Sequence, residues 1–152
     1  MRRRLIGFVS ALAVAVGGSL AVATPAQAAP AVKITKVYYD SPGSDRGSNR
    51  SLNAEYVRLT NKRRSTINLK GWTLRDKAGH TYRFTTTFRL PAGKSVYIHT
   101  GKGKNTGTHR YWGRSWYVWN NTGDKAYLRD PSGKLVHSCA WKKRGKGYTT
   151  SC

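Results

Sequence analysis

The sequence is poor in acid. Its 152 residues include six Asp and Glu against 28 Lys and Arg, a formal net charge of +22. Glu55 is the only glutamate. This scarcity works against enzymes that need matched carboxylates. Asp76 and Asp130 sit at turn positions, and Asp124 closes a turn, which leaves Asp40, Asp45 and Glu55. The four histidines, 80, 99, 109 and 137, show no HExxH or comparable ligand spacing and read as strand-surface or hydrogen-bonded residues. Gly93-Lys94-Ser95 ends like a phosphate-binding loop, but Phe88 stands where the first glycine is needed, so Lys94 reads as strand surface. Two cysteines cannot complete a Cys-rich zinc site. The sequence therefore calls for no catalytic residue, cofactor or metal. One hard-cation option remains around Asp40, Asp45, Asn53 and Glu55. The alternative, which we favour, is that Asp and Asn shape a loop while Glu55 pairs with an arginine.

Long apolar runs are absent after residue 28. Before it, Arg2-Arg3-Arg4 precede an apolar stretch, Leu5 to Val22, and then Ala26-Gln27-Ala28. A positive start, an apolar middle and a small-x-small end read as a secretory signal peptide over residues 1–28; the rival reading is a transmembrane anchor, since about 18 apolar residues just span a bilayer. Cleavage after Ala28 leaves a domain of residues 29–152 with a short basic C-terminal tail. Loss of Arg2, Arg3 and Arg4 lowers the charge from +22 to +19. The expected location is outside the cell, free or on the wall. Cys139 and Cys152 then reach an oxidising space, and one disulfide is the natural pairing. It ties the tail to the last strand.

Helix signals are nearly missing from the mature part. Short runs rich in Val, Ile, Thr, Tyr and Trp alternate with Gly, Pro, Asn and Asp clusters, a β pattern. Strands are expected near 32–39, 54–60, 66–76, 80–85, 94–100, 125–130 and 134–141, with a shorter one between 110 and 119. Val57 and Leu59 face one way, Tyr56 and Arg58 the other. Trp72 with Leu74, Tyr82 with Phe84, Val96 with Ile98, and Ala126 with Leu128 repeat the period of two. The 76–79 and 130–133 segments read as Asp-to-Gly hairpin turns. Two antiparallel sheets packed face to face satisfy this pattern.

Five segments then stand out: VYYDSPGSD (37–45), LNAEYVRLTN (52–61), LKGWTLRDKAGHTYRF (69–84), LPAGKSVYIHTGKG (90–103) and YWGRSWYVWNNTGDKAYLRDPSGKLV (111–136). Together they resemble the lamin tail domain family in its exported bacterial branch, over about residues 32 to 141. The resemblance implies an all-β, immunoglobulin-like antiparallel β-sandwich that binds or tethers and does not catalyse. Bacterial members are often joined to exported hydrolases, so other exported proteins are possible partners.

The charge itself points to polyanions: wall polymer, anionic lipid surface or extracellular nucleic acid. The candidate contacts are Lys62, Arg63 and Arg64, Lys102 and Lys104, and Lys142, Lys143 and Arg144 with Lys146, all in expected loops or tail. Strand counting puts the first two groups at opposite ends of a sandwich. Aromatics gather at Tyr111, Trp112, Trp116, Tyr117 and Trp119 beside Arg110 and Arg114. Trp112 and Trp119 read as core. Trp116 and Tyr117, with Arg114, are candidates for stacking on bases or sugar rings. Two other readings stand: a carbohydrate-binding module on Trp112, Trp116 and Tyr117, or an interaction domain whose charge only solubilises.

Overall fold

The computed structural model describes residues 28–142 and 149–152. The signal-peptide reading up to Gln27 falls outside the described residues, as do Lys143, Arg144 and Lys146. In chain order the elements are β1 (Val32–Tyr38), α1 (Asn49–Ala54), β2 (Tyr56–Asn61), β3 (Ile67–Asn68), β4 (Thr73–Arg75), β5 (Thr81–Arg83), β6 (Arg89–Leu90), β7 (Ser95–His99), β8 (His109–Tyr111), β9 (Gly123–Arg129), β10 (Leu135–Lys142) and β11 (Thr149–Ser151).

The strands form an immunoglobulin-like sandwich. One sheet has the order β11-β1-β2-β7-β8, the other β10-β9-β4-β5, and β3 pairs with β6 beside them. All pairs are antiparallel except β7 with β8. Val57, Leu59, Leu74, Phe84, Val96, Ile98, Ala126 and Leu128 point inward as the alternation requires and are 0–1% exposed; Tyr82 is 9% exposed, and Ile67, counted with Leu69 in the same pattern, is only partly buried. Trp72 is buried with them. Removing this apolar surface from water is the main force holding the sheets together.

Four departures from the sequence reading have local causes. The expected strand 66–76 is two strands in different sheets. The amide of Trp72 turns back to the Leu69 carbonyl, and Gly71 (φ +84°) lies against Pro131, where a Cβ would come within 3.1 Å of the proline ring. The strand expected from residue 54 starts at Tyr56, because Asn49–Ala54 is a helix. Ser48 caps that helix by accepting from the Ser51 amide, and Leu52 is its buried residue. Strand β6 is too short to show a period. The tail returns as β11, paired with β1 through Lys36–Ser151 and Tyr38–Thr149.

Candidate binding surfaces

The carboxylates are not spread over the molecule. The register puts the end of β1, the starts of β2 and β9, and the ends of β4, β7 and β10 at one end of the sandwich. Asp40, Asp45, Glu55, Asp76 and Asp124 all belong to that end. Asp130 is in the β9–β10 turn at the other. Among the described residues, no Lys or Arg lies within ion-pair distance of a side-chain carboxylate; the one pair is Asp76 with His80, at 2.6 Å. The acids are met by other donors. Asp76 accepts from the amides of Gly79 and His80, and Asp124 from those of Lys77, Asn120 and Lys125. One Asn121 amide nitrogen donates to Asp40 and to Asp45, at 3.0 Å each. Burial and the nearby Asp45 raise the Asp40 pKa.

Glu55 corrects an expectation. It pairs with no arginine. It is fully buried, and its Oε1 accepts from the Thr100 hydroxyl at 2.6 Å and from the amides of Val118 (2.9 Å) and Trp119 (3.3 Å). It thus pins the 116–119 segment to the start of β2. Burial pushes its pKa up to about 7, against those hydrogen bonds. No group of three or more His, Cys, Asp or Glu side chains among the described residues is arranged to hold a metal ion.

The outer face of the five-stranded sheet was not foreseen as a surface. Residues opposite one another form rows across four strands. Tyr38, Tyr56, His99 and Tyr111 make one row; Lys36, Arg58, Tyr97 and His109 make the next. Tyr38 stacks on Tyr56, His99 on Tyr111, and Tyr97 on His109, with ring centroids 5.0–5.5 Å apart. Stacked on one another, these rings offer rims rather than open faces. His99 Nδ1 donates to the Asn53 carbonyl, and burial lowers the pKa of His99. The neutral ring then accepts at Nε2 from His109 Nδ1, 2.9 Å away. Lys33, Lys36 and Arg58 are the charges of this face, and it holds no carboxylate. The other sheet turns Arg75, Arg83, Lys125 and Arg129 outward, so the positive field wraps the barrel of the molecule.

The candidate loop residues divide between the ends. Lys62, Arg63 and Arg64 are exposed just after β2, at the end opposite the five clustered acids, where Arg63 shares a hollow with Asp130. Lys102, Lys104, Arg114, Trp116, Tyr117 and Lys142 are brought to the acidic end, where Arg114 N bonds to Thr100 O. Lys102 and Lys104 are exposed there. Trp119 is core and Trp112 packs against it. Arg110 does not join the aromatic cluster as a free cation: its guanidinium lies over Phe88, 4.9 Å from the ring centre. The alternating partners of the buried residues were the signal for the Tyr and His rows; the strand register that aligns them was not in the sequence.

The family model of the lamin tail domain matches residues 25–143. No curated protein matches the chain.

Proposed function

The chain belongs to the lamin tail domain family, a family of non-enzymatic, immunoglobulin-like interaction domains, and from that premise we propose that it is an exported tethering module that holds a polyanion. The observation that carries this reading is the lack of carboxylate partners for the cations. Among the described residues no Lys or Arg pairs with a side-chain carboxylate, and five of the six carboxylates sit at one end, which leaves both sheet faces to Lys and Arg. A phosphate- or carboxylate-bearing polymer meets free cations over most of the surface. Each neutralised phosphate releases counterions, which makes such binding strong at low salt. No helix longer than α1 is described, so nothing is shaped to read a major groove, and little sequence preference is expected.

The reading is tested by neutralising Lys62, Arg63 and Arg64 together to Gln. Binding is measured to polyglycerol phosphate, single-stranded DNA and anionic vesicles. Affinity falls and the salt slope flattens for at least one of them, with the melting curve unchanged. If none of the three changes, and none binds in a salt-dependent way, the charge serves only solubility. The domain is then a protein-interaction module.

A further inference from the structure

We propose that the acidic end carries a second, independent site: a cleft that binds a neutral carbohydrate chain, with Trp116 as its stacking platform. Trp116 is 59% exposed, and it and Leu135 are the only exposed large hydrophobic residues among those described. Tryptophan, with an apolar body and a polar tip, is enriched where proteins bind partners. This one is also held still. Gly47 (φ +69°) comes against its six-membered ring so closely that a Cβ there would lie 2.5 Å from a ring carbon. Tyr117 packs edge-to-face on it, with centroids 5.6 Å apart. The Tyr117 hydroxyl is fixed to Ser51 Oγ at 2.6 Å. The platform is therefore built before any ligand arrives, which keeps the ordering cost of binding low.

The cleft beside it, about 510 Å³, runs from the Asp76–His80 turn to Asn120 and Asp124, with Tyr117 and Trp119 in its wall. That volume suits a ligand of a few rings. A smaller hollow, lined by Asp45 and Asn121, flanks Trp116 elsewhere. His80 uses Nδ1 on Asp76, and its Nε2 has no partner among the described residues. The Asn120 side-chain Nδ2 also has none among the described residues, while its backbone amide is spent on Asp124 and its oxygens on Thr122 and Trp141. An aromatic plate beside unused hydrogen-bonding groups fits the C–H face and hydroxyl rim of a pyranose.

Charge selects the class. Asp76 and Asp124 line the cleft against Lys77, with Asp45 close by, so a polyanion is disfavoured here although the rest of the surface attracts one. A cationic ligand is not favoured either. Asp76 and Asp124 are buried, and their oxygens are spent on backbone amides and, for Asp76 Oδ2, on His80. A neutral, hydroxyl-rich chain is what remains.

The test uses the purified chain with cellohexaose and N-acetylchitohexaose as probes, followed by tryptophan fluorescence and calorimetry at low and high salt. Binding of at least one is expected, changing by less than about twofold with salt, because no counterions are released. Trp116→Ala weakens it by about tenfold or more, the scale of one lost stacking partner. Because Trp116 is exposed, that variant keeps its melting curve; Trp116→Phe, which keeps a ring, recovers part of the affinity. Salt-dependent polyanion binding is unaltered in Trp116→Ala, which separates this site from the tethering surface. Failure of both probes to bind, native-like binding by Trp116→Ala, or a steep salt dependence of sugar binding each overturns the proposal. So does capture of an apolar peptide at Trp116 in preference to either sugar.

Discussion

Cys139, on β10 of one sheet, is bonded to Cys152, which follows β11 on the edge of the other, with Cα atoms 5.7 Å apart. The bridge therefore joins the two sheets, and it holds β11 against β1. In the loop-entropy view, closing a chain separation of 13 residues contributes roughly 3 kcal/mol. The double variant Cys139→Ser/Cys152→Ser should lose about that much in urea unfolding, and the β11 amides should exchange early. A free-thiol assay on the denatured, unreduced protein should read near zero; two thiols per chain would contradict the bridge.

Trp72 begins the inward pair with Leu74 and is buried under the sheet. Its amide and carbonyl both hold the β4–β5 corner, bonding to Leu69 O and Phe84 N. Trp72→Ala should cost about 3–5 kcal/mol through the cavity and lost transfer energy. A loss below about 1 kcal/mol, the range of surface changes, would mean the ring is not where the fold puts it.

Glu55 predicts a pH dependence. Its ordinary pKa of 4.5 is raised by burial to about 7 in the folded protein. Between those values the folded chain holds more protons than the unfolded one, so this group's contribution falls as pH rises from 4.5 through 7 and levels off above. The full swing is on the order of 3 kcal/mol. His99, whose pKa burial lowers, acts in the opposite sense, so the comparison must be with Glu55→Gln, which keeps the acceptor oxygen and cannot titrate. Wild type minus variant stability should shrink steadily across that window. Parallel pH curves for the two proteins would rule the buried acid out as the cause.

Much of the fold was legible because burial alternates. Val57 and Leu59, or Val96 and Ile98, announce their facing in their own sequence. What was not legible depends on distant residues. The break between β3 and β4 falls where Gly71 lies against Pro131, sixty positions away. The partners of Glu55 come from Thr100 and the 118–119 amides, with nothing local to suggest them. The Tyr38–Tyr56–His99–Tyr111 row exists only once three strand registers are set. The acidic end likewise emerges when loops 40–55, 76–80 and 120–124 are folded to one side.

Export is expected to remove the first 28 residues. Mass spectrometry of culture supernatant should give a mature start at Ala29. Full-length chain found only in the membrane fraction would contradict this.

The central claim is that an unpaired positive field, rather than a shaped reading surface, does the holding. The most direct measurement is the affinity of the chain for one long phosphodiester polymer across a series of salt concentrations. Each engaged phosphate should contribute about −0.7 to −0.9 to the slope of log affinity against log salt. Six or so contacts then lose about a thousandfold between 50 and 200 mM salt, and DNA sequences of different composition should give nearly the same line. A flat salt response, or strong preference for one sequence over another at equal length, would contradict it.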